Sequence, residues 1–167
     1  MQAELQFPYQ QICSAREYTA SLLEDLQPED WFHMPTPPVS HIAWQVGHIA
    51  MAQFRLCLER LRNLQPGDWE LISKDFLRTF AKGSAPSADA SSYPKPMEIR
   101  QVMDRVHKAV QEELEGYTGD DLKTPLRNPH PIFKTKWEAV VFSAQHEMLH
   151  AGQIGMLRRL QGKPSLR

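Results

Sequence analysis

One uninterrupted helical stretch near the end of the chain limits the fold more than any other feature. It opens on Thr135-Lys136-Trp137-Glu138, the form of a capping box, and Gly162 followed by Pro164 supplies its stop. At 3.6 residues per turn, one face carries Ala139, Phe142, Ser143, His146, Leu149, His150, Gln153, Leu157 and Leu160. The opposite face carries Trp137, Val141, Ala144, Met148, Ala151 and Gly155. A helix apolar on both sides is either the most buried of its fold or part of a subunit interface. The small residues Ala144, Ala151 and Gly155 permit close helix approach, so a homodimer is expected.

His146 and His150 stand one turn apart inside the core-facing stripe. Two buried imidazoles need partners, and a pair at this spacing can reach one divalent ion at about 2.0–2.1 Å. The string His146-Glu147-Met148-Leu149-His150 also satisfies His-Glu-x-x-His, which in metalloproteases puts two zinc ligands and a general base on one helix. A metal site needs at least three protein donors, so a third ligand must come from elsewhere in the chain.

The rest of the sequence bounds where that donor sits. A chain of 167 residues fits one domain, spanning 1–167, with a sizeable core. Net charge is −1 with the charges mixed along the chain, which excludes the basic patch of a nucleic-acid binder. Cys13 and Cys57 fall in helical patterns without metal spacing and read as reduced packing residues. No segment approaches ~20 apolar residues and the start lacks a signal pattern, so a soluble cytoplasmic protein without membrane contact is expected.

A first helix is expected over about 8–25, with Ile12, Ala15, Thr19, Leu22, Leu23 and Leu26 as its stripe. Met34-Pro35-Thr36-Pro37-Pro38 must be extended. Ser40 is the expected N-cap of a second helix over about 41–61. One stripe of that helix holds His41, Trp44, His48, Ala52, Arg55 and Glu59, which reads as the wall of a polar pocket rather than core. His48, well inside the helix, is the better third ligand; His41, at the first turn, suits a capping or rim role. A long connection follows over 62–95, with a short helical pattern at 68–80 and a small, polar stretch at 82–92. Such a connection lets the next helix run parallel to the second. That third helix begins near Pro96 with Ile99, Val102, Met103, Val106, Val110 and Leu114 as its stripe. His107 reads as a surface or boundary histidine, and His33 and His130 as exposed loop residues.

These blocks carry a resemblance. Ser40-His41-Ile42-Ala43-Trp44-Gln45-Val46-Gly47-His48-Ile49-Ala50, together with His146 to Ile154 and Leu157-Arg158-Arg159-Leu160-Gln161-Gly162, resembles the DinB superfamily, closest to its DinB-like branch. The resemblance implies an all-α, up-down-down-up four-helix bundle with one long crossover between helices two and three. It implies a divalent metal held by His48, His146 and His150, dimers, and a range of activities that includes thiol-dependent transfer. Relatives that make sulfur-containing histidine betaines usually carry an acidic residue two places after the second histidine; here that position is Gly152.

The chemistry expected of such a site follows from its donors. Three neutral imidazoles leave a position open for water, a thiolate or a carbonyl, with zinc as the default ion and nickel, iron or manganese also suited. Glu147 either serves as general base or forms a salt bridge at the side. Gln153 is the expected polar group of the pocket, and Trp44 its apolar wall. Arg55 either attracts an anionic substrate or pairs with Glu59. The expected function is a metal-dependent hydrolase or thiol transferase acting on a small molecule, with a low-molecular-weight thiol as a candidate cofactor. The alternatives are a non-catalytic metal or small-molecule binding bundle and a zincin-type protease.

Overall fold

The computed structural model describes residues 3–36, 39–128 and 130–166. All regular structure among them is helical, apart from one isolated bridge between Pro125 and Thr135. The elements are α1 (Ala3–Ser21), α2 (Ile42–Phe54), α3 (Asp68–Leu71), α4 (Lys74–Thr79), α5 (Pro96–Glu115), α6 (Gly119–Lys123) and α7 (Lys136–Leu160). A π-helical turn (Arg55–Glu59) and a last α-turn (Arg60–Arg62) continue α2. No described helix is long and apolar enough to cross a membrane.

The most buried helix is α2, so of the two alternatives open for α7 the first does not apply. Every residue of α2 from Ile42 to Phe54 except Trp44 is buried, and the polar Gln45, His48 and Gln53 among them are each hydrogen-bonded. It packs against α5 and α7, and α1 packs against α7. On α7 the second apolar face is largely covered within the chain. Ala144 and Ala151 are buried, Trp137 stacks on Phe7 with ring centroids 6.4 Å apart, and Gly155 faces Leu22. Met148 remains exposed, and so do Leu149 and Leu160, which lie at the edges of the stripe that holds the histidines.

Two buried arginines fix α1 and the turn that follows it against α7. Arg16 donates from Nε and Nη2 to both carboxylate oxygens of Glu147, at 2.8 and 3.2 Å. Arg158 pairs with Asp25 and donates to the Leu22 carbonyl at 2.8 Å. Charges this deep are tolerated because each is paired and hydrogen-bonded.

Several expected boundaries move. The first helix begins at Ala3 and ends at Ser21, with Pro8 inside it. So near the start, proline's missing N–H removes one intrahelical bond without ending the helix. The pattern over 68–80 is two helices, because Ser73 caps the second by accepting the Phe76 N–H at 3.1 Å. The expected extended run before α2 includes Pro37 and Pro38, which lie outside the described residues. The capping box of α7 is present as expected: Thr135 Oγ1 accepts from the Glu138 N–H, and the Glu138 carboxylate accepts from the Thr135 N–H. Gly162, at φ +79°, ends the helix in the left-handed region that suits glycine.

Candidate metal centre

The start of α2 differs from the expected cap in a way that builds the site. His41, not Ser40, is the N-cap: its Nδ1 accepts the Trp44 N–H at 3.1 Å. Ser40 Oγ is instead taken by Gln45 Nε2, which donates to it at 2.8 Å. That leaves the Gln45 oxygen free to accept from His150 Nδ1 at 2.5 Å. Sequence periodicity alone offers no reason to single out Gln45; its role depends on the approach of α2 to α7.

His48 is held from another direction. Its Nδ1 lies 2.8 Å from the Phe80 carbonyl, an acceptor only, so Nδ1 carries the proton and Nε2 keeps its lone pair. The same logic applies to His150, whose Nδ1–H faces the Gln45 oxygen. Gly47 makes the His48 contact possible: a Cβ there would collide with the fully buried Phe80 ring. Glycine thus lets the Phe80 segment close on α2 beside the histidine.

The three ring nitrogens converge. His48, His146 and His150 each offer one ligand atom, and those atoms lie within 4.8 Å of one another. The Nε2 atoms of His146 and His150 are 3.3 Å apart, close to the ~3.4 Å expected of two nitrogens bound at ~2.1 Å to one tetrahedral ion. Burial holds all three imidazoles neutral, the form that ligates. His48 lies below the usual histidine range through burial, an effect that its bond to the Phe80 carbonyl opposes. His146 is pushed down to about 4 and His150 to about 3, in each case by burial first and then by neighbouring histidines. The donor set therefore fits a divalent ion of the zinc type.

Around the histidines, Trp44 stacks on His48 with centroids 4.7 Å apart and planes 14° from parallel. Its Nε1 donates to Ser84 Oγ at 2.8 Å, which ties the long connection to the site. A cavity of about 460 Å³ opens here, lined by Trp44, Gln45, His150, Gln153, Pro86 and Met156 among others. Gln153 lines this cavity together with His150. A larger groove of about 720 Å³ between α1 and α7 holds none of the histidines.

The other sequence candidates fall elsewhere. Glu147 does not join the histidines: both its oxygens are on Arg16, whose guanidinium also donates to Gln53 Oε1 at 2.9 Å and the Met103 carbonyl at 2.8 Å. The salt bridge at the side is the arrangement found, and the general-base expectation is corrected. With it goes the main support for a zincin-type protease, which needs that glutamate at the metal. Arg55 lies outside the Trp44 cavity, 4.0 Å from Glu59, in a separate cleft of about 310 Å³. His107 is half-buried and its Nδ1 lies 3.2 Å from Gln53 Nε2, so it belongs to the Arg16 network. His130 is half-buried, stacked on Phe133 with centroids 4.0 Å apart. Cys57 is buried and its thiol is pushed up to about 12 by that burial, an inert packing residue.

A search of curated proteins returns no match. The family model described as the DinB superfamily matches residues 11–154, which takes in all three histidines and most of the chain. This chain belongs to the DinB superfamily.

Proposed function

We propose that the chain binds one divalent metal ion through His48, His146 and His150 and uses it to act on a small molecule, by hydrolysis or by thiol-dependent S-transfer. The observation that carries this reading is the convergence of three neutral imidazole nitrogens at the edge of a cavity. Zinc is the ion proposed; nickel, iron and manganese suit the same donors. When bound, the ion supplies Lewis acidity toward an oxygen or sulfur atom of the substrate.

The chain's own residues do the remaining work. The Phe80 carbonyl and the Gln45 side chain orient His48 and His150. Trp44 presents an apolar wall, and Gln153 offers an amide that orients a ligand or His150. Arg55, in the separate cleft it shares with Glu59, offers its guanidinium to an anionic group.

We read the scaffold as an up-down-down-up four-helix bundle with one long crossover. The cross-links support it: Arg16–Glu147 and Asp25–Arg158 advance together along α7 and along α1 with the turn that follows it. Gln53–His107 and Arg62–Glu113 do the same along α2 and α5. The apolar surface left by Met148, Leu149 and Met156 supports a homodimer. Both cysteines are free, which fits a reducing cytoplasm and a low-molecular-weight thiol as co-substrate.

The test is a turnover screen on protein purified without an affinity tag, using ester hydrolysis and transfer of small thiols to electrophiles, with and without a chelator. Activity that a chelator abolishes and added zinc restores is expected. Stoichiometric metal without turnover in either screen would make the chain a metal-binding protein instead.

A further inference from the structure

The three-histidine centre and the 460 Å³ cavity share a wall, because His150 belongs to both. On α7, His150, Gln153 and Leu157 follow one face, and Met156 stands at its edge. Val39, Ser40, Trp44 and Gln45 line the cavity from the segment that enters α2, and Pro86 comes from the crossover. Among the described residues, no charged side chain lines this space.

The polar atoms of that wall are mostly spent on the fold. Trp44 Nε1 donates to Ser84 Oγ at 2.8 Å, and Ser84 Oγ donates in turn to the Ala81 carbonyl at 2.9 Å. Tyr93 Oη accepts the Ser87 N–H at 2.8 Å, so Pro86 sits between two anchored serines. Gln45 gives its amide N–H to Ser40 and its oxygen to His150. Gln153 is left as the neutral polar side chain of the wall. With its one ring donor engaged, Trp44 presents carbon to the cavity, as do Val39, Pro86, Met156 and Leu157. An ionised group placed here loses its water and gains no counter-charge, whereas each methylene buried against these residues is favourable.

We propose that the substrate of this site carries an uncharged apolar arm, of short alkyl or single-ring size, which fills the cavity while a polar atom of the same molecule meets the metal. The volume falls within the about 300–1,000 Å³ usual for small-molecule pockets. This inference rests on the metal reading and names the substrate class of that site, with Trp44, Pro86 and Met156 setting the preference.

The test uses the full chain loaded with zinc and three probes that grip the ion through a hydroxamate. Acetohydroxamate has no arm, hexanohydroxamate has an apolar one, and the monohydroxamate of adipic acid has an arm of the same length ending in a carboxylate. Calorimetry should show hexanohydroxamate binding about 10–100-fold tighter than acetohydroxamate, and the adipate probe gaining almost nothing over it. Met156 is 49% exposed, so Met156→Lys puts a cation on the cavity wall without burying it. That variant should reverse the order of the two long probes, while Met97→Lys, at an exposed methionine outside the cavity, should leave all three affinities unchanged. Equal binding of acetohydroxamate and hexanohydroxamate, an adipate probe as tight as hexanohydroxamate, or a Met156→Lys variant that moves neither long probe would overturn the apolar arm while the metal reading stands. If zinc does not load at one ion per chain, both fall together.

Discussion

Glu147→Gln separates the structural account of the His-Glu-x-x-His string from the catalytic one. The Glu147 and Arg16 side chains are only 3% and 8% exposed, so their pairing is little screened by solvent. Removing one partner of a buried pair costs about 3–5 kcal/mol, because the other charge is left buried without its counterion. Here the guanidinium keeps two neutral acceptors, Gln53 and the Met103 carbonyl, which places the expected loss at the low end, about 3 kcal/mol. In a chain of 167 residues that corresponds to a fall in Tm of about 9 °C. Urea or thermal unfolding followed by circular dichroism measures it, and metal content measured alongside should stay unchanged. The double variant Arg16→Met with Glu147→Leu should recover most of the loss, since it leaves no unpaired charge. Unaltered stability in Glu147→Gln, with turnover reduced about 10²–10⁴-fold, would refute the reasoning and return Glu147 to the role of general base.

Other expectations follow from the contacts around the histidines. Gly47→Ala drives a methyl group into the Phe80 ring and should cost about 1–3 kcal/mol while weakening metal binding, read by unfolding and by competition with a chromogenic chelator. Gln45→Leu removes the acceptor on His150 Nδ1 and should weaken metal binding about 10–100-fold with the fold retained; unchanged affinity would show that Gln45 does not orient the ring. Acid should destabilise the metal-free protein. Burial, with Arg16 adding to it, pushes His107 down from the ordinary 6.5 to about 3, so the native state binds fewer protons than the unfolded chain. That stability is complete above about pH 6.5 and falls as the pH drops toward 3. The urea midpoint should therefore decline between about pH 6.5 and 5, less steeply in His107→Gln, and a flat profile would contradict the burial of these rings.

What the sequence made legible depended on whether the signal was local. The capping box at Thr135, the stop at Gly162, the start of α5 at Pro96 and the His146–His150 spacing are each written within a few residues, and each appears where expected. His48 was found because a stripe of histidine, tryptophan and arginine is foreign to a core helix. Gln45 and Phe80 were not legible, since what matters is the side chain or carbonyl they bring from a different element. The choice between the two roles open to Glu147 was not legible for the same reason. A motif fixes which way a side chain leaves the helix, but only the position of Arg16 on α1 decides what it meets. The cap falls on His41 rather than Ser40, whose hydroxyl accepts instead from Gln45, a residue of the same helix.

Metal content by mass spectrometry on protein purified without an affinity tag tests the three-histidine centre most directly, comparing the unaltered chain with His48→Ala, His146→Ala and His150→Ala. One divalent ion per chain is predicted for the unaltered protein and almost none for each variant, with the helical circular dichroism signal kept in all four, since the apolar stripes do not depend on the ion. Full occupancy in His146→Ala, or in either of the other two, would contradict the centre.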